Sequence, residues 1–197
     1  MGSGHKGRTV GYDSYMSSAT LLLLTGLPGS GKTSLARGAA VDLEAPVIGH
    51  DWVMAGLKGH ATVWAEMGKL DHVGFRSVGW TVMWNLALAQ LREGRWVVLD
   101  GVARSPEVTG TRDIAKQADC ASFVVLCSIS DPEVHRERVL GRERAIPNWP
   151  ELSWKEVEGS RSHWEPPNDV NLVLDALDPF ERNLASLRSS LVAHKPT

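Results

Sequence analysis

The run Gly26–Thr33, with the sequence GLPGSGKT, is the feature that most restricts how this chain can fold. It matches the pattern G-x-x-x-x-G-K-[ST], in which glycines let the backbone turn so that successive N–H groups point at phosphate oxygens. The apolar run Leu21–Leu24 precedes it, and a helix-like segment follows from about Gly31 to Leu43. A buried strand, a glycine-rich turn and a helix N-terminus in this order predict a phosphate-binding loop (P-loop) for a nucleoside triphosphate. The alternative is a glycine-rich turn that matches by chance.

The residues of this loop have separate expected roles. Lys32 is predicted to reach the β- and γ-phosphates, and the hydroxyl of Thr33 to ligate Mg²⁺. A dinucleotide-binding loop is not an equal rival, because Lys32 and Thr33 fall where that fold places small or apolar residues. ATP is the expected donor, and GTP stays open. The other predicted nucleotide contacts in the loop are Gly26, Pro28, Gly29, Ser30, Gly31 and Ser34.

Strand-like and helix-like segments alternate along the chain, which predicts an α/β fold. The predicted strands are apolar runs at 21–26, 46–51, 96–100, 122–129 and 171–176. Helices are predicted at 31–43, 73–93, from 105 onward, 131–146, 153–164 and 178–193. Strands separated by helices in this way favour a five-stranded parallel sheet with helices on both faces, a three-layer P-loop NTPase sandwich.

The length of 197 residues is suited to one domain. Residues 1–18 are rich in Gly and Ser and are expected to be a flexible leader or a cloning scar, so the domain is assigned to 19–197 with a helical lid at about 131–166.

A net charge of −2 gives no general attraction to nucleic acid or membrane surfaces. The apolar runs are too short to span a bilayer, and the two cysteines suit a reducing, cytoplasmic location. The oligomeric state is left open.

Two aspartates at predicted strand ends are candidate catalytic groups. The strand WVVLD ends at Asp100 in the form of a Walker B segment, whose carboxylate would hold Mg²⁺ opposite Thr33. A turn aspartate is the alternative for that position. Asp51 ends the second strand, where ligands collect in open α/β sheets, and is predicted to accept the proton of a substrate hydroxyl that attacks the γ-phosphate. The alternative for Asp51 is the N-cap of a helix that begins at Trp52.

Arginines in the predicted lid are candidate phosphate ligands. Arg138 and Arg142 are four residues apart and would share one face of the predicted helix, and Arg144 follows them. A lid that carries guanidinium groups can close on the nucleotide, neutralise developing charge and exclude water. Ordinary surface pairs with the neighbouring glutamates are the alternative.

The acceptor pocket is predicted from residues near Asp51. Trp52 directly follows the proposed base, and its aromatic ring is a candidate contact for the acceptor. Arg76 and Arg104 are candidate ligands for an anionic group of the acceptor, although solvation at the surface is the commoner fate of such arginines. Trp80 and Trp84 on the long helix are expected to pack in the core.

These segments together resemble the small P-loop kinases of the zeta-toxin, polynucleotide-kinase and chloramphenicol-phosphotransferase type. The resemblance spans residues 20–178 and rests on GLPGSGKTSLA, GHDWVMAGL, LREGRWVVLDGV, ERVLGRER and HWEPPNDVNLVLDA. The resemblance implies that Lys32 and Thr33 bind phosphate and Mg²⁺ and that Asp51 activates the acceptor hydroxyl. It also implies that Asp100 is the Walker B acid, and that Arg138 and Arg142 are lid residues near adenine and the phosphates.

One departure from that pattern narrows the acceptor. The polynucleotide kinases carry an arginine three residues after the catalytic aspartate, whereas this chain has Met54 there. Together with a pI of about 6.4, this argues against a nucleic-acid acceptor. We therefore expect a kinase that uses Mg²⁺ and ATP to phosphorylate a hydroxyl of a small molecule such as an antibiotic, a nucleoside or a sugar. The alternatives are a 5′-hydroxyl polynucleotide kinase and, from another class, a nucleotide-binding ATPase or switch without an acceptor.

Overall fold

The leucine run before the P-loop is the central strand of a parallel sheet. The computed structural model describes residues 19–194, and the leader predicted at 1–18 lies outside them. The sheet has the strand order β2-β3-β1-β4-β5, and every neighbouring pair is parallel. The predicted α/β fold with five parallel strands is confirmed. The strands are β1 (Thr20–Thr25), β2 (Val47–Gly49), β3 (Val97–Asp100), β4 (Ala121–Ser128) and β5 (Leu172–Asp175).

Helices cover both faces of the sheet because alternate side chains of β1 point to opposite sides. Leu22 and Leu24 pack with the first and last helices, and Leu21 and Leu23 pack with the fourth and fifth. All of these leucines are completely buried. The helices are α1 (Lys32–Leu43), α2 (His50–Lys58), α3 (Ala61–Met67), α4 (His72–Arg92), α5 (Ser105–Gln117), α6 (Pro132–Leu140), α7 (Trp154–Ser162) and α8 (Phe180–Ala193).

The parallel strands bring the predicted catalytic segments to one edge of the sheet. Asp100 lies in register with Leu24 of β1 on one side and with Gly49 of β2 on the other. The P-loop begins where β1 ends, and Asp51 follows the end of β2. Three segments that are distant in sequence therefore meet at the carboxyl edge, which is where ligands bind in open α/β sheets.

The helix predicted at 131–146 is wrong in its last six residues. Helix α6 ends at Leu140, and the N–H of Gly141 closes it by donating to the carbonyl oxygen of Glu137 at 2.9 Å. Arg142 lies beyond the helix, so it does not share a helix face with Arg138. The segment 141–153 that connects α6 to α7 is irregular instead.

Two further differences concern the region after β2. Helix α2 begins at His50 with Gly49 as its N-cap, so Asp51 lies in the first turn and the N-cap alternative for Asp51 is wrong. Helix α3 was not predicted from the sequence. The core positions of the long helix are confirmed: Trp80 is completely buried, and the indole of Trp84 is partly buried. Within residues 19–194, no helix combines the length and apolar character that crossing a membrane requires.

Candidate active site

The P-loop is held in a shape that only glycine permits at two positions. Gly26 and Gly29 have φ angles of 146° and 89°. A Cβ at Gly26 would lie 2.1 Å from the carbonyl oxygen of Cys127, and one at Gly29 would lie 2.7 Å from Cγ2 of Val139. The loop is therefore fitted closely between the end of β4 and helix α6. At its end, Gly31 has a φ of 76° and caps α1.

Lys32 and Ser30 supply polar groups to this loop. The side chain of Lys32 is almost buried, and its Nζ donates back to the carbonyl oxygen of Leu27 at 3.4 Å. The hydroxyl of Ser30 is buried and has no hydrogen-bond partner within residues 19–194. An ammonium group folded over a glycine-rich loop beside an unpaired hydroxyl is suited to phosphate oxygens.

Asp100 is a partly buried carboxylate beside the start of α1. Its Oδ1 is buried and accepts no hydrogen bond from the described part of the chain. Burial raises the pKa of Asp100, while the charge of Lys32 and a hydrogen bond from Thr33 oppose that rise. A carboxylate oxygen without a partner, next to a threonine hydroxyl, fits a hard divalent cation such as Mg²⁺.

A cleft of about 360 Å³ opens at the carboxyl edge of the sheet. Its wall contains residues from the P-loop, from both predicted acidic segments and from the segment 141–153. We call this space the acceptor-side cleft. Nine of the predicted site residues line it: Pro28, Lys32, Thr33, Asp51, Trp52, Arg76, Asp100, Arg104 and Arg142.

A second cleft, of about 300 Å³, shares the P-loop as a wall, and we call it the loop-side cleft. Ser30, Gly31 and Ser34 line it together with Arg138. The two arginines that were predicted to act side by side therefore lie in different clefts. Gly26 and Gly29 shape the P-loop but are absent from the walls of both clefts.

Arg144 contacts the predicted base directly. Its guanidinium donates a hydrogen bond to Oδ2 of Asp51, 93 residues away in sequence. The same guanidinium donates to Oε2 of Glu151 at 2.9 Å and to the carbonyl oxygen of Pro150 at 2.7 Å. Burial by itself would raise the pKa of Glu151, but the hydrogen bonds from Arg144 hold it below its usual value. The segment 141–153 is thus attached to α2 across the cleft.

Arg142 lies beside Arg144 and Glu151 and has fewer contacts than Arg144. Its Nε is 3.6 Å from Oε2 of Glu151, beyond hydrogen-bond length, and its Nη2 is buried without a hydrogen-bond partner among the described residues. Burial and the positive charge of Arg144 lower the pKa of the Arg142 guanidinium. Its unpaired N–H groups can donate hydrogen bonds to an anion in the cleft.

Arg76 and Arg104, for which solvation at the surface was the alternative, both line the acceptor-side cleft and are partly buried. Arg76 donates to the carbonyl oxygen of Val102 at 2.9 Å and lies 3.2 Å from Oε1 of Glu107. Its side chain is only 15% exposed. Arg104 lines the same cleft, and its Nη1 is buried without a hydrogen-bond partner in residues 19–194. Trp52, by contrast, is half-exposed in the cleft wall.

Comparison with known proteins places this site in a family. The family model described as "AAA domain" matches residues 21–167, which include the P-loop, Asp51, Asp100 and the arginines of the cleft. The chain belongs to the AAA domain family. An uncharacterized protein of Mycobacterium tuberculosis is 31% identical to this AAA domain over 127 residues, which make up 62% of the chain and 25% of that relative. The chain thus spans about a quarter of the length of the curated relatives it matches.

Solved structures with the fold of this AAA domain include small kinases. The APS kinase of Mycobacterium tuberculosis, in complex with AMPPNP and APS, has a TM-score of 0.65 and 19% identity, covering 88% of this chain and 98% of its own. A sugar kinase from Janibacter has a TM-score of 0.61 and 18% identity, covering 88% and 94%. At these identities the similarity shows the fold alone. The AAA domain therefore has the fold of small P-loop kinases.

Two contacts in this site were not predicted from the sequence: that of Arg144 with Asp51, and that of His135 with the P-loop. Arg144 is visible as the third arginine of the run, but its pairing with Asp51 depends on the path of the irregular segment. His135 is buried beneath the P-loop, and its Nε2 lies 2.7 Å from the carbonyl oxygen of Pro28, so Nε2 carries the proton and donates. Burial lowers the pKa of His135, whereas the hydrogen bond to Pro28 opposes that change. No pattern in the sequence pointed to His135.

Aromatic side chains complete the acceptor-side cleft of the AAA domain. Trp149 and Trp164 line it, and neither was predicted there. The indole N–H of Trp164 donates to the carbonyl oxygen of Ala103 at 3.1 Å. Trp64 does not line the cleft but packs against Phe75 and Trp149, with ring centroids 5.1 Å and 6.1 Å apart.

Proposed function

We propose that this AAA domain is a kinase that transfers the γ-phosphate of ATP to a hydroxyl group of a small molecule. One observation carries the proposal: Asp51 lines the same cleft as Lys32, Thr33 and Asp100. A proton acceptor beside a phosphate-binding loop suits group transfer to a hydroxyl, because a nucleotide switch needs no such base. GTP in place of ATP would use the same phosphate contacts.

The two clefts suggest how donor and acceptor would be divided. The loop-side cleft, with Ser34 and Arg138 in its wall, would hold the nucleoside part of the donor. The P-loop would then hold the phosphates between the two clefts, with Lys32 on the β- and γ-phosphates. Thr33 and Asp100 would hold Mg²⁺, which supplies positive charge to the phosphates. No group of three or more His, Cys, Asp or Glu side chains within residues 19–194 forms a metal site, so phosphate oxygens and water would complete the coordination.

The proposed reaction is an in-line transfer. The acceptor oxygen forms a bond to the γ-phosphorus while the bond from that phosphorus to the bridging oxygen breaks and ADP leaves. The acceptor's proton passes to the carboxylate of Asp51. Arg144 engages only Oδ2 of Asp51, and Oδ1 has no hydrogen bond within the described residues, so one oxygen is available for the proton. Lys32 and Arg142 would neutralise the charge on the moving phosphoryl group.

We propose residues 131–166 as the lid of this site. Helices α6 and α7 and the segment 141–153 supply Arg138 to one cleft and Arg142 to the other. A cover that contributes cations to both clefts would exclude water and so favour transfer to the acceptor over hydrolysis of ATP.

A small acceptor is favoured over nucleic acid. Met54, which stands where polynucleotide kinases carry an arginine, is 1% exposed and presents no charge to the cleft. The volume of about 360 Å³ is within the usual range for small-molecule sites. The structural relatives named above include kinases for APS and for a sugar, which are small molecules.

The variant Asp51→Asn tests this proposal. It keeps the shape of the side chain but removes the proton acceptor, so acceptor-stimulated ATP consumption should fall by about 10²–10⁴-fold. Binding of Mg·AMPPNP, measured by calorimetry, should stay within about threefold of the wild type, because Asp51 is not assigned to the nucleotide. The acceptor panel should contain antibiotics, nucleosides, sugars, sugar acids and short oligonucleotides.

Asp113→Asn is the matched control. Asp113 is exposed on α5, and its replacement should leave turnover unchanged. If Asp51→Asn turns over as fast as this control, Asp51 is not the base. Stimulation by oligonucleotides alone would instead favour the polynucleotide-kinase alternative, and ATP consumption that no acceptor changes would favour an ATPase or switch.

A further inference from the structure

We propose that the acceptor carries an anionic group, a carboxylate, sulfate or phosphate, and that Arg104 binds this group. The inference rests on the proposed kinase function, because it concerns the acceptor of that reaction. It goes further by assigning a charge to the substrate and one residue to its recognition. It also separates Arg104 from Arg76, which the sequence treated as equivalent.

The observation behind the proposal is that the Arg104 guanidinium is unpaired. Its Nη1 is buried and has no hydrogen-bond partner, and its side chain forms no ion pair within residues 19–194. A guanidinium keeps its charge at every physiological pH, so burial without a counter-charge is unfavourable. In the same cleft wall, Arg76 has Glu107, and Arg144 has both Asp51 and Glu151. Arg104 is therefore a cation whose partner would come from a ligand.

The backbone at Arg104 is fixed although its guanidinium is unpaired. Its N–H donates to Oε2 of Glu107 at 2.7 Å, and that carboxylate is also bound to Arg76. The preceding residue, Ala103, donates to Oγ1 of Thr25 at 2.8 Å and accepts from Trp164 at 3.1 Å. A side chain held by its backbone in this way is preorganised for binding, because little order is lost when a ligand arrives.

The position of Arg104 favours the acceptor over the nucleotide. Lys32 and the P-loop amides are assigned to the nucleotide phosphates, and Arg142 to the transferred phosphoryl group. Arg104 instead precedes α5, a helix of 13 residues, and its neighbours are the Arg76–Glu107 pair and Trp164. The positive end of α5 adds to the attraction for an anion there. A planar guanidinium can bind carboxylate, sulfate or phosphate through two parallel hydrogen bonds, so the structure assigns the charge but not the group.

A direct binding experiment tests the site apart from catalysis. Sulfate is titrated by calorimetry into protein saturated with Mg·AMPPNP, so that the P-loop is already occupied. Arg104→Gln should weaken sulfate binding at least about tenfold, since a charge-assisted bidentate contact is lost. Arg104→Lys keeps the charge without the planar fork and should give an intermediate loss. Arg95→Gln is the control, because Arg95 precedes β3 at the opposite edge of the sheet and should leave sulfate affinity unchanged.

Kinetics with matched acceptors then test specificity. Each acid in the panel is paired with its neutral counterpart, for example a sugar acid with its sugar or a carboxylate with its methyl ester. The wild type should prefer the anionic member, and Arg104→Gln should raise the KM for that member at least about tenfold while the KM for ATP stays unchanged.

The outcomes separate the two proposals. Equal sulfate affinity in the wild type and in Arg104→Gln, or no binding to the wild type, contradicts the anion site. A rise in the KM for ATP alone also contradicts it, because Arg104 would then bind the donor. Efficient, Asp51-dependent phosphorylation of neutral acceptors would overturn this inference and leave the kinase proposal standing. Arg104-dependent sulfate binding without phosphoryl transfer to any acceptor would overturn the kinase proposal and leave only an anion site at Arg104.

Discussion

His135 joins the P-loop to the proposed lid through one buried side chain. Its Nε2 donates to the carbonyl oxygen of Pro28 at 2.7 Å, and its ring packs edge-on against Trp154 of α7 with the centroids 5.2 Å apart. A Cβ at Gly29 would lie 3.1 Å from Cδ2 of this ring, so the imidazole forms the floor under the loop. His135 is therefore a candidate positioning residue for the phosphate-binding backbone.

We predict that His135→Leu weakens nucleotide binding more than it slows catalysis. Leucine fills a similar volume but leaves the carbonyl oxygen of Pro28 without its donor, which costs about 0.5–1.5 kcal/mol. The KM for ATP and the Kd for Mg·AMPPNP should rise about twofold to tenfold, while kcat changes little. Initial rates over a range of ATP concentrations, together with calorimetry, measure this difference.

The variant His135→Gln distinguishes positioning from simple packing. The amide nitrogen of glutamine can reach the place of Nε2 and donate to Pro28, so this variant should keep a KM for ATP near that of the wild type. Equal losses in the leucine and glutamine variants would mean that the imidazole acts through its packing against Trp154 and not through the hydrogen bond.

The connection between α6 and α7 illustrates where local sequence fails to predict structure. Arg142 and Arg144 are good helix formers, so propensity favoured a helix as far as residue 146. The chain leaves the helix at Gly141, and Ala145 and Asn148 take positive φ angles of 52° and 60°. On this path Arg144 contacts Asp51, which is remote in sequence. Tertiary contacts of this kind cannot be derived from the spacing of the arginines.

Glu151 is predicted to keep the segment 141–153 closed. It binds both the backbone N–H and the guanidinium of Arg144, at 2.8 Å and 2.9 Å. Glu151→Gln keeps the shape but removes the charge that separates Arg142 from Arg144, so the segment should open more often. Because the pair is partly exposed, we expect a moderate effect: trypsin should cleave after these arginines threefold to tenfold faster. This corresponds to a loss of the order of 1 kcal/mol in the free energy that keeps the segment closed. Cleavage sites and rates are measured by mass spectrometry under native conditions.

Glu143→Gln provides the comparison for this experiment. Glu143 lies in the same segment and is exposed, with no ion pair in the described part of the chain. Its replacement changes the net charge by the same amount. Because Glu143 adjoins both cleavage sites, each rate is divided by the rate for the same variant unfolded in denaturant, and this ratio should stay at the wild-type value. If both variants are cleaved at equal rates, the pairing with Glu151 does not hold the segment in place.

The whole fold was more predictable from sequence than the acceptor-side cleft. Apolar runs such as Leu21–Leu24 are buried on both sides of a parallel sheet, so continuous hydrophobicity identifies them directly. The P-loop, Asp51 and Asp100 could be placed together because parallel strands bring their carboxyl ends to one edge. Trp149 and Trp164 reach the cleft from irregular segments, whose paths are set by the rest of the molecule. Cleft residues that come from irregular segments are thus the least accessible to sequence reasoning.

Asp100 links the stability of the whole molecule to its proposed function. In the absence of ligands, its buried carboxylate, whose pKa is raised by burial, disfavours the folded state at neutral pH. Asp100→Asn removes that charge at constant shape, so the nucleotide-free variant should be more stable than the wild type by about 1 kcal/mol, or about 2–4 °C in Tm.

The pH dependence and the ligand dependence of this difference follow from the same charge. A carboxyl group whose pKa is raised on folding destabilises the protein above its folded pKa and has no effect below its unfolded pKa, where it is protonated in both states. The advantage of the asparagine variant should therefore be greatest above the folded pKa of Asp100, decrease as the pH falls and vanish in acid. Saturating Mg·AMPPNP should reverse the order, because the carboxylate would then bind Mg²⁺ and ligand binding stabilises the native state. Thermal unfolding with nucleotide, with and without Mg²⁺, measures both effects, and exposed Asp113→Asn should show neither. A variant that is less stable without ligand and keeps the full Mg²⁺-dependent rise in Tm would remove Asp100 from the proposed metal site.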